Sequence, residues 1–456
     1  MGLYSFYRIS KPAKEQVGGD KVDSTYRSLR TRTFWGVTVA YSLYYVCRMS
    51  LSVVKQPLID EGVLSAGQLG LIGSALLFVY AVGKFMNGFI ADYCNVRRFM
   101  ATGLLVSAVI NLLMGGLGVF NGFCAVPASV IFFAFAVLWG LNGWMQSMGS
   151  PPGVISLSRW FPLSKRGTYY SVFSSSPYIG EFLSFIITGV VVGALGWEAG
   201  FIVAAIAGLI GSLIILLFVS DNPESKGLPS IQKLTGEVPA KEDQMPTKEL
   251  QKIVLKHPGI WIIALSSAFI YITKYAIAGW GVLFLQKESG FSLEDATQII
   301  AFSAAFGVLG TVISGWLSDK VFGGDRVKPA VLSGILSSLS LFFFLFVGGS
   351  FVMNIFYVSL FSLSVGVLYC IVAGLMAVDI VPRKATGAAL GVVGISSYVA
   401  AALQDITSGY LIQCNTEMVN GVDMYDFGPV SIFWIAASVV SFILPVLNWK
   451  KMKQKI

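Results

Sequence analysis

Twelve mostly apolar runs of about twenty residues follow one another along this chain, and they decide its fold class. They lie near 33–54, 66–91, 99–119, 128–150, 167–192, 198–219, 258–285, 296–318, 329–348, 351–377, 385–412 and 429–448. Each is long enough to cross the roughly 30 Å hydrocarbon core of a bilayer as a helix. A helix satisfies its own backbone donors and acceptors there, where no water is present to do so. An outer-membrane barrel would instead show short segments of alternating hydrophobicity. Only 12% of residues are charged, against about 25% in a soluble domain. The chain therefore reads as an all-α polytopic membrane protein.

The basic residues give the runs a direction. Of 32 Lys and Arg, 27 fall in the two tails, the linker 220–257 or the loops after even-numbered segments. The odd-numbered loops hold only Lys55 and Lys287. Because Lys and Arg concentrate on the cytoplasmic side, both termini and the linker are expected there. The tail lysines 450–455 fit that topology. Residues 1–32 are polar and basic, without the apolar stretch of a cleavable signal peptide. The expected organisation is a cytoplasmic tail at 1–32, six helices over 33–219, a linker at 220–257, six helices over 258–449 and a cytoplasmic tail at 450–456.

The two halves repeat. Gly88-Phe-Ile-Ala-Asp92 with Arg97 and Arg98 closes segment two, and Gly315-Trp-Leu-Ser-Asp319-Lys320 closes segment eight. Lys165-Arg166-Gly167 and Lys384-Ala-Thr-Gly387 stand in the same relation at segments five and eleven. Two matches at a nearly constant offset indicate duplication of a six-helix unit.

Three cations lie inside apolar segments: Arg48, Lys84 and Lys274. An Arg near the middle of a membrane helix costs roughly 2.5–3.5 kcal/mol on insertion scales, and such residues mark functional sites. Tyr41, Tyr44, Tyr45 and Arg48 are spaced i, i+3, i+4, i+7 and share a helix face. The repeat offset carries Arg48 to Lys274, flanked by Tyr271 and Tyr275. Substrate sites of duplicated carriers lie near the midplane between the repeats. Two cations facing each other there call for an anion of about two charges between them. A phosphate monoester fits, since its oxygens accept several charge-assisted bonds. The blander reading, a structural Arg paired with a carboxylate, has few intramembrane acids to draw on. Five scattered cysteines and a single histidine, His257, suggest neither a metal site nor nucleophilic catalysis, and no cofactor or nucleic-acid partner is expected.

Several motifs now support a resemblance. The Gly88–Arg98 turn and its counterpart at 315–320 resemble the loop signature of the major facilitator superfamily. Tyr44-Tyr45-Val-Cys-Arg48, Tyr80-Ala-Val-Gly-Lys84-Phe, Gln146-Ser-Met-Gly-Ser-Pro151-Pro152, Arg159-Trp160-Phe161 and the Asp221-Asn-Pro-Glu-Ser opening of the linker resemble the organophosphate:inorganic phosphate antiporters. The similarity is greatest to the hexose-6-phosphate carrier and sensor branch. It implies a twelve-helix fold of two six-helix pseudo-repeats and no enzymatic activity. It also implies phosphate-binding roles for Arg48 and Lys84, and site positions for Tyr41, Tyr45 and Tyr398. Lys274 stands where many members carry a second Arg, so a point charge replaces a bidentate fork. Pro177 stands near where several members have a His, and Met49 where many have another cation.

Glu181, one turn past Pro177, is expected to pair with Lys84 and leave two cations for phosphate. Asn142, Trp144, Gln146, Gln404 and Asp405 read equally as sugar-hydroxyl ligands or as interhelical hydrogen-bonding groups. Gly88, Asp92, Arg97, Arg98, Gly315, Asp319 and Lys320 read as gating and loop contacts rather than ligands. Tyr369 falls out of register with the family's tyrosine and is left outside the site, and the Phe-rich run 342–346 reads as lipid-facing or packing.

The functional expectation is an inner-membrane antiporter, working as a monomer, that exchanges a phosphorylated sugar for inorganic phosphate held between Arg48 and Lys274. The alternatives are a membrane receptor for hexose phosphate signalling to a kinase partner, a glycerol-3-phosphate antiporter, and a proton-coupled sugar symporter.

Overall fold

The computed structural model describes residues 3–91, 94–162, 169, 172–235, 255–323, 325–377, 380, 386–419 and 422–452. The N-terminal half contains α1 (Val22–Asp60), α2 (Ala66–Ala91), α3 (Val96–Phe123), α4 (Ala128–Gln146), α5 (Ser150–Trp160), α6 (Ser176–Leu195) and α7 (Trp197–Phe218). The C-terminal half contains α8 (Pro258–Lys287), α9 (Leu293–Trp316), α10 (Val327–Phe342), α11 (Phe351–Leu368), α12 (Thr386–Cys414) and α13 (Gly428–Met452). Among the described residues, eleven spans are long and apolar enough to cross a membrane, and α4 with most of α5 forms one of them. α12, which carries Asp405, is 29 residues long and packs among them.

Local sequence sets the helix ends. Asn95 caps α3 by accepting from Arg98 N at 3.0 Å, and Ser292 caps α9 by accepting from Asp295 N at 3.1 Å, each satisfying an orphan donor of the first turn. Pro177 and Pro258 sit in the first turns of α6 and α8, where a missing N–H is harmless. Pro151 and Pro152 separate α5 from α4 for the converse reason, since neither can donate to the preceding turn. π-helical turns extend α9, α10 and α11 at Leu317–Val321, Phe343–Val347 and Tyr369–Met376.

Large apolar side chains point outward along the spans, among them Leu71, Val82, Leu112, Phe133, Leu213 and Leu339. That is the surface lipid requires. Small residues line the helix contacts instead, as is usual where packing rather than water exclusion brings membrane helices together. A Cβ on Gly180 would overlap the Ser42 carbonyl of α1, so the site face of α6 can approach α1 only with glycine there.

Three features differ from the sequence expectation. The first helix begins at Val22 rather than near Thr33, and it runs on to Asp60. Lys55 therefore lies within α1, buried at 2% exposure, and not in a loop. A short hairpin, β1 (Thr416–Val419) with β2 (Val422–Tyr425), joins α12 to α13, with Thr416 opposite Tyr425.

At the end of the bundle that holds both termini, Asp221 ties the N-terminal half together. Its carboxylate accepts from Ser10 N at 2.8 Å, Val96 N at 2.9 Å and Arg159 Nη1 at 2.5 Å. Asn95 N donates to Tyr7 O at 2.7 Å, and Trp160 Nε1 to Ser220 O at 3.0 Å. Arg98 Nη1 donates to Phe6 O at 2.8 Å, and Arg97 bonds the Leu216 carbonyl. Both arginines of the loop signature thus hold backbone within their own half. Asp92 lies outside the described residues, as does the Asp319 side chain. Gly88 is in α2, Gly315 in α9, and Lys320 is exposed in the π-helical turn after it.

Candidate functional site

Arg48 is only 4% exposed and lies where the two halves meet. Its Nη2 donates across that boundary to Tyr275 Oη at 3.1 Å. Four phenol rings surround the guanidinium, with centroids at 4.2 Å (Tyr80), 5.4 Å (Tyr45), 5.4 Å (Tyr398) and 5.7 Å (Tyr275). Two of these rings come from each half. Ring faces attract cations when water is excluded, so the cage partly offsets the cost of burying Arg48.

Tyr398 is the centre of the arrangement. Its ring lies 4.6 Å from that of Tyr80 and 5.1 Å from that of Tyr271. Lys84 Nζ is 4.8 Å from the Tyr398 centroid. One tyrosine on α12 therefore faces two cations of the N-terminal half, Arg48 and Lys84.

Lys274 precedes Tyr275 on α8 but faces other rings. Its ammonium lies 4.2 Å from the Tyr178 centroid and 5.5 Å from that of Tyr369. Lys274, Tyr178, Glu181, Ser303 and Ser362 line one cavity, while Arg48, Lys55, Tyr275, Gln404 and Asp405 line another. Arg48 and Lys274 thus occupy adjoining cavities and do not face each other across a single gap. The expected pairing of Glu181 with Lys84 is corrected: Glu181 instead lines the cavity of Lys274. The reason is that Lys84 on α2 points to Tyr398, whereas α6 packs against α9 and presents Glu181 to Lys274.

Other expected site residues are engaged elsewhere. Tyr44 Oη donates to Met100 O at 2.5 Å within the N-terminal half, and the Tyr41 ring stacks on Phe173 at 5.0 Å. Asn142 Oδ1 accepts from Ser107 Oγ at 2.5 Å, and Gln146 Nε2 donates to the same hydroxyl at 2.8 Å. Both amides are thereby held in a buried network beneath α1. Gln404 Nε2 donates to Ser408 Oγ at 2.8 Å.

Asp405 is an ion-pair partner. Its Oδ1 lies 3.2 Å from Lys55 Nζ and accepts from Trp280 Nε1 at 2.5 Å, while Lys55 Nζ sits 3.5 Å from the centre of the Trp280 ring. This cluster joins α1 to α8 and α12 across the halves.

Sequence reading missed Tyr80, Tyr178, Tyr369, Lys55 and Trp280. A usable signal existed for two of them. Tyr80 precedes Lys84 by four residues and Tyr178 precedes Glu181 by three, spacings that share a helix face.

The site can hold an anion. Four cations, Arg48, Lys55, Lys84 and Lys274, and a ring of phenols lie at the junction of two six-helix units, with two carboxylates, Asp405 and Glu181, among them. The Major Facilitator Superfamily model matches residues 37–404. The chain is 31% identical to the glycerol-3-phosphate transporter of Bacillus subtilis, covering 98% of each chain. It is 29% identical to a probable hexose phosphate transport protein of Chlamydia trachomatis, covering 97% of this chain and 96% of the other. A bacterial homologue of the human lysosomal transporter Spinster, solved inward-facing and unoccupied, superposes with a TM-score of 0.71 at 17% identity, over 93% of this chain and 96% of that one. The chain belongs to the Major Facilitator Superfamily and, within it, to the organophosphate:inorganic phosphate antiporter family.

Proposed function

We propose that this protein is an alternating-access antiporter of the cytoplasmic membrane, exchanging a hexose 6-phosphate for inorganic phosphate. The observation that carries the reading is the placement of Arg48 and Lys84 against Tyr398 of the other half, with Lys274 next in sequence to the Tyr275 that Arg48 bonds across the halves. An anion held by Arg48 of α1 together with the phenols of α8 and α12 that surround it also draws the halves together. A phosphate group supplies both the charge and enough acceptor oxygens. The names of the relatives support a phosphorylated organic substrate, glycerol phosphate or hexose phosphate. The choice of the hexose rests on the motifs that resemble the hexose-6-phosphate branch, since the glycerol phosphate and hexose phosphate relatives match at 31% and 29%. With both termini cytoplasmic, the end of the bundle carrying Lys55, Asp405, Asp60 and Lys287 faces outward.

Empty, the site lacks the anion that offsets its positive charge, which disfavours the closed intermediate and makes exchange obligatory. The test uses proteoliposomes loaded with inorganic phosphate and offered labelled glucose 6-phosphate or glycerol 3-phosphate. Uptake should require internal phosphate, ignore a protonophore and disappear in Arg48→Ala. Uptake that ignores internal phosphate but collapses with the protonophore would overturn the antiporter. Binding without any uptake would favour a receptor instead.

A further inference from the structure

The Lys55–Asp405 pair occupies the wall of the Arg48 cavity, and its position suggests more than structural support. Lys55 follows Arg48 by seven residues on α1, so both face the same way, about 10 Å apart along the axis. Ser52 lies between them, and all three line one cavity with Asp405. Lys55 is 2% exposed and Asp405 7%. The pair joins the halves at the end of the bundle opposite the termini.

The surrounding packing is built for close approach at that end. A Cβ on Gly73 of α2 would overlap Asp405 Oδ2, and Gly70 of α2 meets Gly409 of α12 backbone to backbone. Farther out, Lys287 Nζ reaches Asp60 Oδ1 at 2.5 Å, again across the halves. That outer pair is partly solvated, with side chains 20% and 44% exposed, and exposed pairs contribute little. The buried pair, with the Trp280 indole fixing the carboxylate, is the stronger link.

Lys55 has three ammonium donors on a flexible stem, and one of them reaches Asp405 at 3.2 Å. A doubly charged anion entering the Arg48 cavity competes with Asp405 for that ammonium. We propose that Lys55–Asp405–Trp280 is an anion-released latch on the outer end of the transport path. Lys55 is thus a further binding residue, used when the loaded carrier opens outward. The inference rests on the antiporter reading and extends it: the anion that closes one end of the path unlocks the other.

The test reads the latch without reading transport. Ser52→Cys is introduced with the two exposed cysteines, Cys124 and Cys414, replaced by serine. The protein is reconstituted in liposomes, and a membrane-impermeant maleimide is added from the outer face. Without phosphate the cysteine should label slowly. Lys55→Met and Asp405→Asn should each speed labelling by about tenfold or more, as a shifted closed–open equilibrium requires. Gly73→Ala, which leaves every charge in place and displaces the Asp405 carboxylate, should do the same. Saturating inorganic phosphate should speed labelling of the parent but not of Asp405→Asn. Slow labelling in all three variants would overturn the latch. Labelling as fast in Lys55→Arg as in Lys55→Met would overturn the charge pair. A parent that exchanges phosphate while its labelling ignores phosphate would overturn release by the anion. A parent that exchanges no phosphate would overturn the antiporter reading itself.

Discussion

Arg48 of the N-terminal half and Tyr275 of the C-terminal half are joined by a hydrogen bond of 3.1 Å, guanidinium to phenol oxygen. Tyr275 directly follows Lys274, so two consecutive residues of α8 serve the two adjoining cavities. On the proposed antiporter reading, a phosphate that binds Arg48 competes with this bond.

Tyr275→Phe removes the hydroxyl but keeps the ring. A hydrogen bond from a charged donor contributes about 1.5–3 kcal/mol, part of it recovered in the bound state. The expected result is a KM for phosphate changed by at most about tenfold, with exchange retained. Arg48→Lys keeps the charge but loses the planar fork and its stacking within four rings, so kcat/KM should fall by roughly a hundredfold or more. Counterflow of labelled phosphate measures both. Equal losses in the two variants would mean that the hydroxyl, and not the guanidinium, dominates the site.

Tyr398 tests the ring cage separately. Its face lies 5.4 Å from Arg48 and 4.8 Å from Lys84, and each such contact contributes about 0.5–2 kcal/mol. Tyr398→Phe should retain most exchange activity, whereas Tyr398→Ala should raise the KM for phosphate by about tenfold or more. An alanine variant with parental KM would show that the ring does not hold the cations in place.

The parts of this arrangement that were legible in the sequence are those fixed by helical periodicity and by the repeat. Arg48 and Lys274 stand out because charge inside an apolar run is expensive, and the repeat offset relates them. The orientation of neighbouring side chains was not legible. Tyr44 shares a broad face with Arg48, yet its hydroxyl turns to the Met100 carbonyl, because the edges of such a face meet different neighbouring helices. Lys55 sits where its apolar run ends, and a window of hydropathy cannot distinguish a loop lysine from one buried against Asp405 far along the chain. The partners of Asp221 are equally non-local, and nothing in the linker's composition marks that residue as a hub.

That hub gives a prediction about stability. Asp221 is 3% exposed and accepts from Ser10 N, Val96 N and Arg159. Asp221→Ala leaves two backbone amides without their acceptor and takes from Arg159 its carboxylate, while the guanidinium keeps the Cys94 carbonyl at 3.3 Å. Breaking a buried pair from one side costs up to about 3–5 kcal/mol. The thermal unfolding midpoint in detergent should fall clearly, with Asp221→Asn intermediate because it still accepts hydrogen bonds. An unchanged midpoint in the alanine variant would show that the collar formed by the N-terminal segment and the linker does not stabilise the bundle.

Glu181 is 7% exposed and shares its cavity with Lys274. A carboxylate there reduces the positive field that Lys274 presents to an incoming anion, and it does so from the opposite half. Glu181→Gln keeps the shape and removes the charge. At an effective dielectric of about 20, one charge several ångströms away is worth about 1–3 kcal/mol, so the KM for inorganic phosphate should fall several-fold. Turnover should fall with it, since product release then works against a stronger field. Lys274→Arg, which preserves the cation, should still exchange. If Glu181→Gln leaves both KM and turnover at parental values, the acid does not act on the anion site, and Lys274 is held by the Tyr178 and Tyr369 rings without a counter-charge.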